Sequence, residues 1–350
     1  MKLLVAGATG TVGRELSRRA VAAGHEVVAM SRNQVLLDVL AATVGCEARR
    51  LDLLADATAL PEADVLVDLT WPNRRLPRQV VGAAEGAVGA VDRWLDRNPR
   101  SVAVHACTFV VAGPGRSAPD ALLSRLVRDD PYALAKSAGE RAVGRARHRD
   151  RISVVRLGNV LTDDSAWGTL VLRSLAYGAV ANPDALDLPA NLCTVRPLLD
   201  AAEHPSPLVH ATAAAGVPWR TVLATTATLA GARFETAPEP PFRPPESPTP
   251  VARQGLSDRL ARLARQALWL APAGLSEVRP WQVWPLLGPA RAVQRSVTGF
   301  PATGAVAPPT LPVTVPMPAG GQDLRELEAA LASLADAYRT RGWAQPTRTR

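Results

Sequence analysis

The sequence predicts an α/β fold in which helices cover both faces of a doubly wound parallel sheet, with a smaller region following. Three observations carry this. Short apolar runs alternate with helical patterns through the first half of the chain. The first run meets a glycine-rich turn and then at once a helical pattern. The pattern loses its regularity beyond about residue 165, where a second region begins.

The elements follow in order. Residues 3–6 read as a buried strand, 12–23 as a helix and 26–30 as the next strand. Further strands are expected at 63–69, 101–106 and 152–157, with helices over 80–95 and 132–147. Residues 208–211 read as a short strand and 219–229 as a helix. A proline-rich stretch at 237–250 reads as an extended loop. Residues 256–270 form an amphipathic pattern with Arg259, Arg262 and Arg265 on one side. Near the end, Leu324, Leu327, Leu331, Leu334 and Tyr338 share one helical face, and Asp323 with Glu326 resembles a capping box. The division expected is 1–165 for the first unit, with 190–215 adding to it. Residues 166–350 then form mainly the second.

Composition narrows the function. The net charge is +8, yet only Lys2 and Lys136 are lysines, and the arginines are spread along the chain. They read as a solvated surface and not as a nucleic-acid stripe. Three scattered cysteines, Cys46, Cys107 and Cys193, give neither a disulfide framework nor a metal pair. No metal site is expected. No apolar run suits a signal peptide or a membrane span, so a cytoplasmic protein without membrane contact is expected.

The turn after the first strand reads Gly7-Ala8-Thr9-Gly10-Thr11-Val12-Gly13. A pyrophosphate must come close to backbone N–H groups and to a helix N-terminus, and side chains would obstruct it. The spacing is GxxGxxG. By itself it is a weak signal, and its position between a strand and a helix strengthens it. This makes the fold class Rossmann-type, with a dinucleotide as the cofactor. The second strand ends Met30-Ser31-Arg32. A carboxylate there would bind a ribose 2′-hydroxyl, whereas arginine pairs with a 2′-phosphate. NADP(H) is therefore expected over NAD(H), which stays open. The competing reading of Arg32 is a surface residue in an arginine-rich chain. Asp52, with Leu53 beside it, is a candidate for the adenine end, or equally a strand-end or capping aspartate. Leu69 and Thr70 are expected beneath the cofactor.

The segment Asp130-Pro131-Tyr132-Ala133-Leu134-Ala135-Lys136 contains YxxxK. Asp130 suits an N-cap and Pro131 the first helical position. Residues four apart share a helix face. An ammonium beside a phenol favours the phenolate, and this suits tyrosine to acid–base work. With three tyrosines and two lysines in the chain, chance would supply the pattern about 0.02 times.

Together these motifs resemble the extended short-chain dehydrogenase/reductase family, also described as the NAD-dependent epimerase/dehydratase family. His105-Ala106-Cys107-Thr108-Phe109-Val110-Val111-Ala112-Gly113 is similar to its serine-rich strand end. Arg156-Leu157-Gly158-Asn159-Val160 matches its RxxNV segment, Asn191 to Arg196 a later one, and Val217-Pro218-Trp219-Arg220 a helix start. The resemblance implies Thr108, Tyr132 and Lys136 as the catalytic set and Asn159 as a substrate contact. Lys136 would also hold the nicotinamide ribose, and a homodimer would be usual. Four departures stand out: Ala112 for a tyrosine, Ala83 for an asparagine, Leu69-Thr70-Trp71 for an alanine-rich loop, and Arg196-Pro197 for an acidic pair. Phe109-Val110 after Thr108 argues against a sugar-nucleotide dehydratase. The expected function is NADP(H)-dependent reduction of a carbonyl on a small molecule, a sugar or a secondary metabolite. The alternatives are an NAD(P)-dependent epimerase acting by transient oxidation, and a non-catalytic NADP(H) sensor. Residues 236–320 match nothing and are expected near the substrate cleft.

Overall fold

The computed structural model describes residues 1–55, 57–71, 77–111, 131–180, 182–211, 217–234, 311 and 324–340. Strands β1 (Lys2–Ala6), β2 (Glu26–Ser31), β3 (Glu47–Arg50), β4 (Val65–Asp68), β5 (Val102–Thr108) and β6 (Ile152–Leu157) lie in the main sheet. A two-stranded sheet holds β7 (Asn159–Val160) and β8 (Leu192–Cys193), and β9 (Leu208–Ala211) returns to the main one. The main sheet runs β3-β2-β1-β4-β5-β6-β9, with every pair parallel. Chain order reverses between β1 and β4. That is the switch point where open parallel sheets form a crevice at their carboxyl ends.

Burial on both faces explains why the strands read as continuous apolar runs. In β1, Leu3 and Val5 point to one face while Leu4 and Ala6 point to the other. The first face is covered by α1 (Thr11–Ala22), α2 (Gln34–Val44) and, much later in the chain, α6 (Arg196–Glu203). The second is covered by α3 (Pro77–Arg97) and α4 (Pro131–Arg145). Trp94 of α3 is fully buried there, and its indole N–H donates to the Pro61 carbonyl at 3.0 Å. Truncating such a side chain to alanine typically costs about 3–5 kcal/mol.

A separate apolar cluster is built by α5 (Ala166–Tyr177), α7 (Trp219–Ala230) and α8 (Leu324–Thr340). The Asn182 side chain exchanges two hydrogen bonds with the Leu311 backbone, at 2.7 and 2.8 Å, and holds that residue in the cluster.

Several sequence expectations are corrected here. Helix α2 was not expected, although Asn33 caps it through Leu36 N and Gly45 ends it in the left-handed conformation. Helices α5 and α6 and the small sheet were also missed. Leu324 lies on the helical face of Leu327, Leu331, Leu334 and Tyr338 but, as the first residue of α8, is exposed where they are buried. Strand β5 extends to Thr108, so the candidate catalytic threonine ends a strand. The readings at 237–250 and 256–270, the residues Ala112, Gly113, Asp130, Asp323 and all of 279–320 except Leu311 lie outside the described residues.

Candidate active site

The glycines of the first turn are required by geometry. Gly7 has φ +84°, and a Cβ there would lie 2.9 Å from the Leu69 carbonyl oxygen. A Cβ on Gly13 would lie 2.4 Å from the Gly7 carbonyl oxygen and 2.7 Å from the Ala8 Cα. Glycine thus lets β1, the turn, α1 and the end of β4 approach one another. Gly10 is the N-cap of α1 and offers no side-chain cap, and no acidic residue occupies the first turn. The first N–H groups of α1 are therefore left to a ligand, and the helix dipole favours an anionic one. Thr9 and Ser31 join the turn to the end of β2 through their hydroxyls, 2.7 Å apart. Thr11 opens α1 and Val12 packs against the core beneath it.

A groove of about 400 Å³ runs from this turn across the sheet. That volume falls within the roughly 300–1,000 Å³ usual for small-ligand sites. Of the expected cofactor residues, Gly7, Thr9, Gly10, Ser31, Arg32, Asp52, Leu53, Leu69 and Thr70 line it. Trp71 and Ala83 do so as well. Arg32 is largely exposed at the rim, 3.8 Å from the Asp52 carboxylate. Asp52 also accepts from Leu54 N at 3.0 Å, a turn-capping bond compatible with the plainer of its two readings.

The catalytic candidates lie on β5 and α4, outside the lining of this groove. Thr108, at the end of β5, is buried. Lys136 is buried on α4, and its ammonium donates to the Ala106 carbonyl at 2.8 Å. Burial pushes the lysine below its ordinary pKa, while the Asp68 charge pulls the other way. Tyr132 stands partly exposed one turn before it. The Tyr132 ring meets Trp71 edge-on, with centroids 4.8 Å apart and planes at 69°. Trp71 therefore joins the tyrosine to the groove it lines.

The packing of α4 against β5 and β6 fixes Lys136. Arg156 on β6 forms a two-pronged pair with Glu140, which also accepts from the Cys107 thiol at 3.3 Å. Burial, followed by the Glu140 charge, pushes Cys107 up to about 12, so it is a packed thiol and not a nucleophile.

Two features were not anticipated. Asp68 and His105 face one another across β4 and β5, and His105 Nδ1 lies 2.9 Å from the Asp68 carboxylate. Both are buried. The available signal was a polar residue in each of two apolar strands, at positions that face the same side. Asn159, expected to touch substrate, is buried and donates from Nδ2 to the Ala190 carbonyl at 2.7 Å. In this structure it fastens β7 to the segment before β8 and does not line the groove. No cluster of potential metal ligands occurs among the described residues. No described helix is long and apolar enough to cross a membrane.

The fold is Rossmann-like, as in solved short-chain dehydrogenase/reductase structures. Residues 3–166, a little under half of the chain, match the model of the NAD dependent epimerase/dehydratase family. The match is to a family of enzymes, and an oxidoreductase or an epimerase fits it. No curated protein matches it. Among solved structures, it is similar to a provisionally named epimerase from Burkholderia cenocepacia J2315. That match has 19% identity, 97% of this chain and 98% of the other covered, and a TM-score of 0.54. It also resembles UDP-glucose-4-epimerase from Stenotrophomonas maltophila with bound NAD and formylated UDP-arabinopyranose (14% identity, 67% and 84% covered, TM-score 0.53). UDP-N-acetylglucosamine 4-epimerase from Bacillus cereus is similar at 15% identity, with 67% and 83% covered and a TM-score of 0.52. At these identities the likeness is one of fold.

Proposed function

We propose that the chain is an NADP(H)-dependent reductase acting on a carbonyl group of a small molecule. The observation that carries this is the rim at the end of β2, where Ser31 and Arg32 stand instead of a carboxylate. The groove fits a dinucleotide because its cradle excludes any Cβ at Gly7 and Gly13 and leaves the α1 N-terminus uncapped. Gly7, Gly10 and Gly13 with Thr9, Thr11 and Val12 would receive the pyrophosphate. Arg32 and Ser31 would receive a 2′-phosphate, with Asp52 and Leu53 near the adenine and Leu69 and Thr70 beneath the bound cofactor. Lys136 would hold the nicotinamide ribose. When bound, the cofactor supplies a hydride.

The protein's own part is proton handling and polarisation. The Thr108 hydroxyl donates to the substrate carbonyl oxygen. Tyr132 donates its phenolic proton to that oxygen as it becomes an alcohol, and solvent restores the proton. The Lys136 ammonium favours the intervening phenolate. Residues after 166 supply the substrate side, with Asn159 contributing if its bond to Ala190 opens. A cytoplasmic homodimer through α3 and α4 completes the proposal.

A second reading is an epimerase that recycles a retained NAD. It is favoured by Asp52, a groove carboxylate that faces Arg32 and could take its place at the ribose. NADPH oxidation with a ketone panel tests the first reading, and the nucleotide retained on purification tests the second. Tight NADPH binding without turnover of any ketone would move the chain to the sensor class.

A further inference from the structure

Among the described residues, three acidic or basic side chains are buried: Asp68, His105 and Lys136. All three belong to one layer, between the sheet and the α3–α4 pair. Asp68 and His105 occupy facing positions on β4 and β5, on the side covered by α3 and α4. Lys136 reaches down from α4 to the carbonyl of Ala106, the residue after His105.

Removing one charge from water is costly, and two opposite charges brought in together offset much of that cost. The carboxylate is well prepared for the anionic form. It accepts from Thr70 N at 2.9 Å, from the Thr70 hydroxyl at 2.6 Å and from His105 Nδ1 at 2.9 Å. Burial works against ionisation, but the hydrogen bonds from His105 and Thr70 outweigh it and hold Asp68 below the ordinary carboxylate range. His105 Nε2 is buried without a hydrogen-bond partner and faces Gly139, where a Cβ would come within 2.9 Å. An N–H at that nitrogen would be an unsatisfied donor. The arrangement therefore suits a neutral ring with its proton on Nδ1, directed at Asp68.

That leaves the buried carboxylate and the buried ammonium as counter-charges. The other groups around Lys136 do not compete for this role. Cys107 on β5 is an un-ionised thiol, Glu140 on α4 is engaged by Arg156 of β6, and Tyr132 lies one turn away on the same helix. Ala83 of α3, at the groove wall, has no polar group to offer.

We propose that Asp68, held by His105 and Thr70, is the buried counter-ion that keeps Lys136 protonated, and so a positioning residue for the acid–base tyrosine. Its catalytic meaning rests on the reading of Lys136 and Tyr132 given above. The charge pairing does not, and it can be measured separately.

The chain has only two lysines, so protein labelled with ¹³C-lysine gives two side-chain signals, and Lys2→Arg assigns them. The proposal expects the Lys136 titration midpoint in Asp68→Asn to fall about one pH unit or more below that of the parent protein. A midpoint that stays in place or rises overturns it. If Asp68→Asn alone does not fold, the double variant Asp68→Asn/Lys136→Met is expected to fold, because neither charge is then left alone. A double variant that also fails to fold overturns the proposal. NADPH binding and ketone turnover are scored independently. A shifted lysine in a protein without turnover keeps the counter-ion and removes the reductase. Turnover with an unshifted lysine does the reverse.

Discussion

The glycine turn and the buried layer between β4, β5 and α4 work by different physics. At the β1–α1 turn the ligand would meet backbone, brought close by Gly7, Gly10 and Gly13 and carrying partial positive charge at a helix start. In the β4–β5 layer the protein has buried charged groups, and Lys136 and Asp68 stand where water is excluded. The first works by leaving side chains out. The second works by placing ionised side chains where they are costly alone and useful together. Defects should therefore show as lost binding in one and as lost chemistry in the other.

The largest effect is expected on the chemistry. Tyr132→Phe should lower ketone turnover by a hundredfold or more while NADPH binding is retained. Stopped-flow NADPH oxidation and a binding titration separate the two. A variant keeping more than a tenth of parental turnover would remove the tyrosine from the mechanism.

At the glycine turn, Gly13→Ala should do the opposite. Its Cβ meets the Gly7 carbonyl at 2.4 Å, so the turn must shift. Dinucleotide affinity should fall at least tenfold, with about 1–3 kcal/mol of stability lost to the strain. Unimpaired binding would mean that the turn is not the phosphate cradle.

A smaller change is expected from Arg32→Glu. Charge reversal at the rim should lower the preference for NADPH over NADH, with little effect on the limiting rate. Discrimination that does not change would return Arg32 to the exposed surface it shares with many other arginines.

The smallest effect concerns acid stability. Asp68 has a folded pKa held below its unfolded value of about 3.9. Its contribution is complete above that pH and is lost as the pH falls through the folded pKa. Asp68→Asn removes this component, so its loss of stability relative to the parent should be largest near neutrality and shrink below about pH 4. Chemical denaturation across that range measures it. A constant difference would mean that the aspartate is not ionised in the fold.

The same contrast governs what could be read from the sequence. The glycine turn was legible because backbone approach permits so few residues at those positions. The pair Tyr132 and Lys136 was legible because a helix dictates their spacing. Asp68 and His105 lie 37 residues apart and meet only through sheet register, which no local pattern encodes. Helix α2 was hidden because Val35, Leu36 and Val39 are exposed, which spreads apolar residues around the helix. Asn159 was placed by resemblance alone, and its bond to Ala190 depends on a crossing of chain segments 31 residues apart. Helices α5 and α6 bury against neighbours supplied by distant parts of the chain, so their own periodicity carries less of the signal.

The central claim is that this groove exchanges NADP(H). Titrating the purified protein with NADPH and NADH, and identifying any nucleotide it retains, tests that claim most directly. The account predicts reversible binding that favours NADPH. Tightly retained NAD would contradict it and place the epimerase first.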